Sequence, residues 1–191
     1  GFTGVVTAMA PGRFSAAINQ PPMRQWSPSS SLDWGINRYR FLRRRALPPV
    51  HLLRQIFDTC HTYEEAKKAL METPIAMPAF FTLSGYEPRD SCVIEREENT
   101  FFVREGVVSV ANHWVGMPVP GRSRGIDSLG RYELMETCRD NVRDDFSWVK
   151  PPILNGTTRL AIVANARREL LLVQGWELYG PATQVFYLEP G

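Results

Sequence analysis

The chain is poor in the residues from which metal and disulfide sites are built. Three cysteines, Cys60, Cys92 and Cys138, are spread over 191 residues with no C-x-x-C pair, which argues against a disulfide framework and against a structural zinc site. An odd, widely spaced set of this kind fits a reducing compartment such as the cytoplasm. The three histidines, His51, His61 and His113, show neither H-x-H nor H-E-x-x-H spacing, so no metal is expected. G-x-G-x-x-G and G-x-x-x-x-G-K-[ST] loops are missing as well, and no cofactor is expected. There is no run of about 18 apolar residues, hence no expected transmembrane helix. The formal net charge of +2 makes no case for nucleic acid. The chain opens at Gly1 inside an apolar, strand-like run rather than on methionine, and an upstream segment is expected.

What is present is ordinary for a globular protein. Hydrophobic residues make up 43% and charged residues 22%, which allows a single domain over 1–191 with a sizeable core. Arg38, Arg40, Arg43, Arg44 and Arg45 cluster around Tyr39 and Phe41. The cluster is read as a solvated loop and helix edge in preference to a phosphate or membrane surface.

Phe2–Met9 and Arg13–Asn19, split by Ala-Pro-Gly at 10–12, predict a β-hairpin. Pro and Ser dominate from Gln20 to Asp33, predicting an exposed loop over about 20–35. A helix is expected from Pro49 to Thr59. A second helix starts at the T-x-x-E capping box of Thr62 and Glu65 and stops before Pro74. Strands are expected at Ala79–Ser84, Ser91–Arg96, Thr100–Arg104 and Val107–Ala111, forming an antiparallel meander. A helix over Ser128–Asp140 and strands at Thr158–Asn165, Leu170–Gly175 and Gln184–Leu188 complete an α+β pattern.

Few residues are placed to carry chemistry. Cys60 and His61 are adjacent in sequence, and a thiol needs its base close in space, yet sequence neighbours rarely face each other, and Cys60 sits at a predicted helix end. Cys92 and Cys138 read as core residues. More informative is VVSVANHWV at 107–115, where an alternating run ends in Asn112 and His113. Together with Asn19, at the end of another strand, and Arg131, near the start of a helix, Asn112 makes a set suited to acyl transfer at an amide bond. Amide N–H groups donate to a tetrahedral oxyanion, and a guanidinium orients a substrate or nucleophile. The set lacks a nucleophile.

Three segments carry a resemblance: GFTGVVTAMAPGRFSAAIN at the start, TYEEAKKALMETPIAMPAFFTLSGYEPRDSCVIERE with its following VVSVANHW, and the late PPILNGTTRLAIVANARRELLLVQG. In this order they resemble the cysteine N-terminal nucleophile (Ntn) amidohydrolases. The resemblance is nearest to the acid ceramidase and N-acylethanolamine acid amidase branches. It is less close to penicillin acyltransferases and less again to choloylglycine (bile-salt) hydrolases. It implies a four-layer αββα sandwich, here lacking its first strands, and a cysteine freed at a chain N-terminus whose α-amino group acts as base. It also implies that Asn19 and Asn112 hold the oxyanion and the nucleophile, and that Arg131 is the late active-site arginine, although Gly130-Arg131 stands where ceramidases have paired arginines.

The nucleophile and the arginine and aspartate just after it fall outside this sequence. The expectation is therefore an enzyme acting on the linear carbon–nitrogen bond of a small-molecule N-acyl amide, as hydrolase or acyltransferase, once the upstream nucleophile segment is present, with the chain alone inactive. The alternative is a non-catalytic Ntn-fold protein that binds an acylated ligand or a partner. An exposed sheet edge is further expected to favour self-association or homo-oligomers. Met9, Met23, Trp26 and Trp34 are candidates to line an acyl pocket.

Overall fold

The first hairpin forms where the sequence alternates, and it turns at Pro11-Gly12. β1 (Thr7–Ala10) pairs with β2 (Phe14–Asn19) in antiparallel register, Met9 opposite Ser15. The computed structural model describes residues 3–188, so the expected start of this strand at Phe2 lies outside the described residues, and 3–6 is irregular where strand was expected. After β2 the chain makes a two-residue strand, β3 (Met23–Arg24), and then a helix, α1 (Ser30–Arg43).

That helix corrects the second part of the exposed loop expected over 20–35; 20–29 is irregular apart from β3. The Ser-rich stretch caps the helix instead, with the Ser29 hydroxyl accepting from Leu32 N–H. What α1 buries is a carboxylate. Asp33 is fully buried and accepts from the N–H groups of Trp26 (2.9 Å) and Ser27 (2.8 Å) and from Arg122 Nε (2.7 Å). Arg122 belongs to β7 (Gly121–Arg122), which pairs with β3. One ion pair thus seats the helix and fixes the segment after residue 120.

α2 (Pro49–Thr59) and α3 (Tyr63–Glu72) form as expected, the latter with Thr62 Oγ accepting from Glu65 N–H. Their buried residues, Leu52, Leu53, Ile56, Ala66 and Leu70, pack on one face of a five-stranded sheet against Phe14, Phe81, Leu83 and Ile94. Burial of each large side chain here is worth about 1.5–3 kcal/mol. The sheet order is β1-β2-β4-β5-β6, with β4 (Ala79–Ser84), β5 (Ser91–Arg96) and β6 (Phe101–Glu105) forming the expected meander.

Val107–Ala111 is not a strand, contrary to its alternation. The 106–120 segment is irregular and is followed by β7 and by α4 (Ser128–Cys138), which a 3₁₀ turn at Arg139–Asn141 extends. None of the residues of α4 is buried, so Cys138 is half-exposed and not the core residue expected. A three-stranded sheet closes the fold, in the order β10-β9-β8, from β8 (Leu160–Asn165), β9 (Leu170–Glu177) and β10 (Gly180–Leu188). Ala161, Leu172 and Trp176 of this sheet pack on Phe146 and Val149 of the preceding loop. β8 runs beside β1 and β2, where Gly12 N–H donates to Ala166 O at 2.9 Å. The architecture is α+β: a helix pair on one antiparallel sheet, with the second sheet alongside.

Candidate active site

The register of the five-stranded sheet sets out one row of side chains across its end: Asn19 opposite Phe80, Phe80 opposite Glu95, Glu95 opposite Phe102. Successive residues of a strand point to opposite faces, and the neighbours Phe81 and Ile94 are in the helix-packed core. The row therefore lies on the face away from α2 and α3.

The irregular 107–120 segment lies on this row. Trp114 packs edge-on against Phe80, ring centroids 4.7 Å apart. The Glu95 carboxylate, 1% exposed, accepts from Val115 N–H (3.2 Å), Gly116 N–H (3.0 Å) and Arg104 Nε (3.0 Å). Arg104 in turn donates from Nη2 to Ser109 O at 2.9 Å. A Cβ on Gly116 would fall 2.0 Å from Phe102 Cδ1, so only glycine allows this approach. A buried carboxylate and its arginine thus replace strand pairing as the means of holding the segment.

Asn112 is presented by this anchored loop. Its Oδ1 accepts from Arg131 Nη2 at 3.0 Å, its Nδ2 donates to Gln20 O at 2.7 Å, and its N–H donates to Ser128 Oγ at 2.8 Å. The two opposite partners of the carboxamide fix which way it faces. Arg131 also donates from Nε to Ile126 O at 2.7 Å. Among the described residues its Nη1 has no hydrogen-bond partner. Burial lowers the Arg131 pKa from its ordinary value while the Asp127 carboxylate opposes the shift, and the guanidinium stays charged. Gly125, with φ of +71°, lets the backbone pass against the pair: a Cβ there would stand 2.8 Å from Arg131 Nη2 and 3.1 Å from Asn112 Oδ1.

His113 is turned toward α4. Its Nδ1 lies 2.8 Å from Ser128 Oγ and its ring packs edge-on against Tyr132, centroids 5.2 Å apart. Burial lowers its pKa, the Glu95 carboxylate opposes this, and the Arg104 and Arg131 charges add to it.

Of the three residues expected at the site, the structure joins the side chains of Asn112 and Arg131 directly. Asn19 lines a cleft of about 480 Å³ between β2 and β8, and no hydrogen bond links its side chain to the pair. Its connection runs through the next residue, Gln20, whose carbonyl holds Asn112. Sequence reasoning missed Glu95, Arg104, Gln20 and Ser128. A charged residue inside the apolar run SCVIER was the available signal for Glu95.

The cysteines stand elsewhere. Cys60, at the end of α2, and Cys92, on β5, are buried in the helix-packed core, and burial raises the Cys92 thiol pKa. Cys138 is seven residues beyond Arg131 on α4, about two helical turns away. His61 is exposed, so Cys60 and His61 do not make a thiol-base pair. No group of three or more His, Cys, Asp or Glu residues among the described residues is arranged to hold a metal.

Two adjoining cavities lie along this segment, and Asn112 lines the first of them. One is lined by Asn112, His113, Pro22 and Arg124. The other, of about 240 Å³, is lined by apolar groups including Met23, Trp34, Phe41 and Met77, and shares Pro22 and Arg124 with the first. Met23 and Trp34 line this second cavity, whereas Met9 and Trp26 do not.

No protein-family model matches the chain. Over 97 residues, half of the chain, it is 33% identical to acid ceramidase of Mus musculus and 30% identical to acid ceramidase of Homo sapiens. The aligned stretch spans only 23% of the length of these relatives. Among solved structures, the Caenorhabditis elegans N-acylethanolamine-hydrolyzing acid amidase (NAAA) ortholog superposes with a TM-score of 0.58 at 15% identity, covering 98% of this chain and 78% of that one. The resemblance to the Ntn amidohydrolases holds in sequence and in fold.

Proposed function

We propose that this chain carries the oxyanion-binding side of an amidohydrolase site that cleaves linear N-acyl amides. The observation that carries the reading is the bond from Arg131 Nη2 to Asn112 Oδ1, because it orients the Asn112 carboxamide, one Nδ2 hydrogen of which is held by Gln20 O, at the wall of a cavity that Asn112 lines, and leaves Arg131 Nη1 without a partner among the described residues. Similarity to acid ceramidases supports the class of bond, and the fold shared with the acid amidase is consistent with it.

The nucleophile in this reading is a cysteine outside the described residues, since none of the three thiols faces the pair. Its sulfur attacks the amide carbonyl, and the carbonyl oxygen becomes an oxyanion. The thiol proton passes through the cysteine's own α-amino group to the leaving nitrogen as the C–N bond breaks. Water then attacks the thioester, releasing the carboxylic acid and restoring the thiol; a second amine in place of water makes the same site an acyltransferase. Asn112 and Arg131 stabilise the oxyanion in both steps. Loss of one such donor costs about 10²–10³ in kcat.

The test is the full-length protein assayed on an N-lauroyl amide, with the Asn112→Ala and Arg131→Lys variants and with thiol alkylation. Hydrolysis that alkylation abolishes and Asn112→Ala reduces by about 10²-fold or more supports the reading. A folded full-length protein that binds the amide but never cleaves it supports a non-catalytic, ligand-binding protein instead.

A further inference from the structure

Arginines outnumber acids around the apolar cavity. Arg24, Arg38, Arg40 and Arg124 line it, against Glu98 alone. Two of the four are matched: Arg24 pairs with Glu97, and Arg40 with Glu98, which Arg44 also approaches at 3.4 Å. Arg38 packs over the Trp34 ring. Among the described residues neither Arg38 nor Arg124 has a carboxylate within ion-pair distance.

Of these two, Arg124 is the one linked through Gln20 to Asn112, with which it shares a cavity wall. It lines both cavities, at the place where they meet. Gln20 bridges it to the catalytic pair: the Gln20 carbonyl takes Asn112 Nδ2 at 2.7 Å, while the Gln20 side-chain Oε1 takes Arg124 Nη1 at 2.6 Å. The next residue, Gly125, is pressed against Asn112 and Arg131. The Arg122–Asp33 bond two residues earlier anchors this segment to α1. The one carboxylate on the facing cavity wall, Asp127, is engaged in capping α4 through Gly130 N–H at 3.0 Å. Only one guanidinium nitrogen of Arg124 is thus occupied, and by a neutral amide oxygen.

From this placement we infer that Arg124 is a specificity-determining residue that recognises a carboxylate on the leaving amine, so that the preferred substrates are N-acyl amino acids, with the acyl chain in the apolar cavity. In an N-acyl amino acid the carboxylate is separated from the scissile nitrogen by one carbon, which places it beside the reacting centre and not at the far end of the chain. A planar guanidinium offers paired donors that match a carboxylate, and such charge-assisted bonds are about twice as strong as neutral ones. An acylethanolamine of the same length offers only a hydroxyl there. The inference rests on the proposed amidohydrolase reading and refines it.

The experiment compares N-lauroylglycine with N-lauroylethanolamine on the full-length protein, by kcat/KM and by titration of tryptophan fluorescence, since Trp34 lines the cavity. Wild type is expected to prefer the anionic substrate by about 10- to 100-fold, the discrimination that one charged hydrogen-bonded contact supplies. Arg124→Gln is expected to bring the ratio close to one, Arg124→Lys to keep part of it, and Arg139→Gln, a surface change on the 3₁₀ turn, to leave it as in wild type. Equal or reversed preference in wild type overturns the inference while leaving the amidohydrolase reading intact. Binding selective for the anionic amide and lost in Arg124→Gln, without cleavage, supports the carboxylate site and overturns the hydrolase. Neither cleavage nor selective binding overturns both.

Discussion

Glu95 holds Gly116: the buried carboxylate of β5 accepts the Gly116 N–H at 3.0 Å, and through it the irregular segment that presents Asn112 is fixed to the sheet. The contact joins packing to chemistry, because the same segment has no strand pairing to hold it. Its removal is expected to unsettle fold and site together.

In Glu95→Ala, Arg104 keeps a side chain only 13% exposed but loses its partner, and two backbone N–H groups are left unsatisfied. Breaking a buried pair on one side costs about 3–5 kcal/mol. Urea denaturation is expected to show a loss of that size. A change under about 1 kcal/mol would mean the carboxylate is not the anchor.

Gly116→Ala forces a Cβ to within 2.0 Å of the Phe102 ring, and overpacking of this kind costs about 1–3 kcal/mol. Combining it with Phe102→Ala opens the space. A double-mutant cycle is expected to give a favourable coupling between the two, and strict additivity would place the clash elsewhere.

Acid should weaken the fold through His113. Burial, the largest influence, and the Arg104 and Arg131 charges lower its folded pKa, with Glu95 opposing them, whereas the unfolded imidazole titrates near 6.5. As pH falls below about 6.5 the unfolded state takes up the proton first, so stability declines until the folded pKa is passed. In His113→Gln the decline between pH 7.5 and 5, followed by chemical denaturation, is expected to be shallower than in the parent.

Asp33 adds to the acid response in the same direction but at lower pH, and tests the seat of α1. Burial raises its pKa, but the N–H groups of Trp26 and Ser27 and the Arg122 guanidinium outweigh this and hold the carboxyl below its ordinary value. Its contribution is therefore full above about pH 3.9 and is lost as pH falls through the lower folded pKa. Asp33→Ala should release α1, and trypsin should cut at Arg38, Arg40 or Arg43 faster than in the parent protein.

Much of this was legible in the sequence where the local and tertiary signals agree. The Pro11-Gly12 turn, the Thr62–Glu65 box and the runs at 79–84 and 91–96 each state in the sequence what the packed fold then confirms. Two segments misled. α1 exposes Leu32, Trp34 and Leu42 and buries Asp33, so it carries no apolar stripe for periodicity to find. Val107–Ala111 alternates like a strand but has no partner strand; side chains from β5 and β6 hold it instead. Asn112 and Arg131, which the structure joins, were singled out in the sequence, and the resemblance to the amidohydrolases pointed to both and equally to Asn19, which is not bonded to them. The bond between Asn112 and Arg131 was not legible, since it depends on the Glu95 anchor and on the close approach of Gly125, neither of which leaves a local pattern.

The most direct test of the central claim is the rate at which the full-length protein cleaves an N-lauroyl amide with Asn112 intact and with Asn112→Ala, both forms shown to be folded. The Asn112–Arg131 site predicts thiol-dependent cleavage that falls by about 10²–10³ in kcat in the variant. Cleavage at an undiminished rate without the Asn112 carboxamide would contradict it.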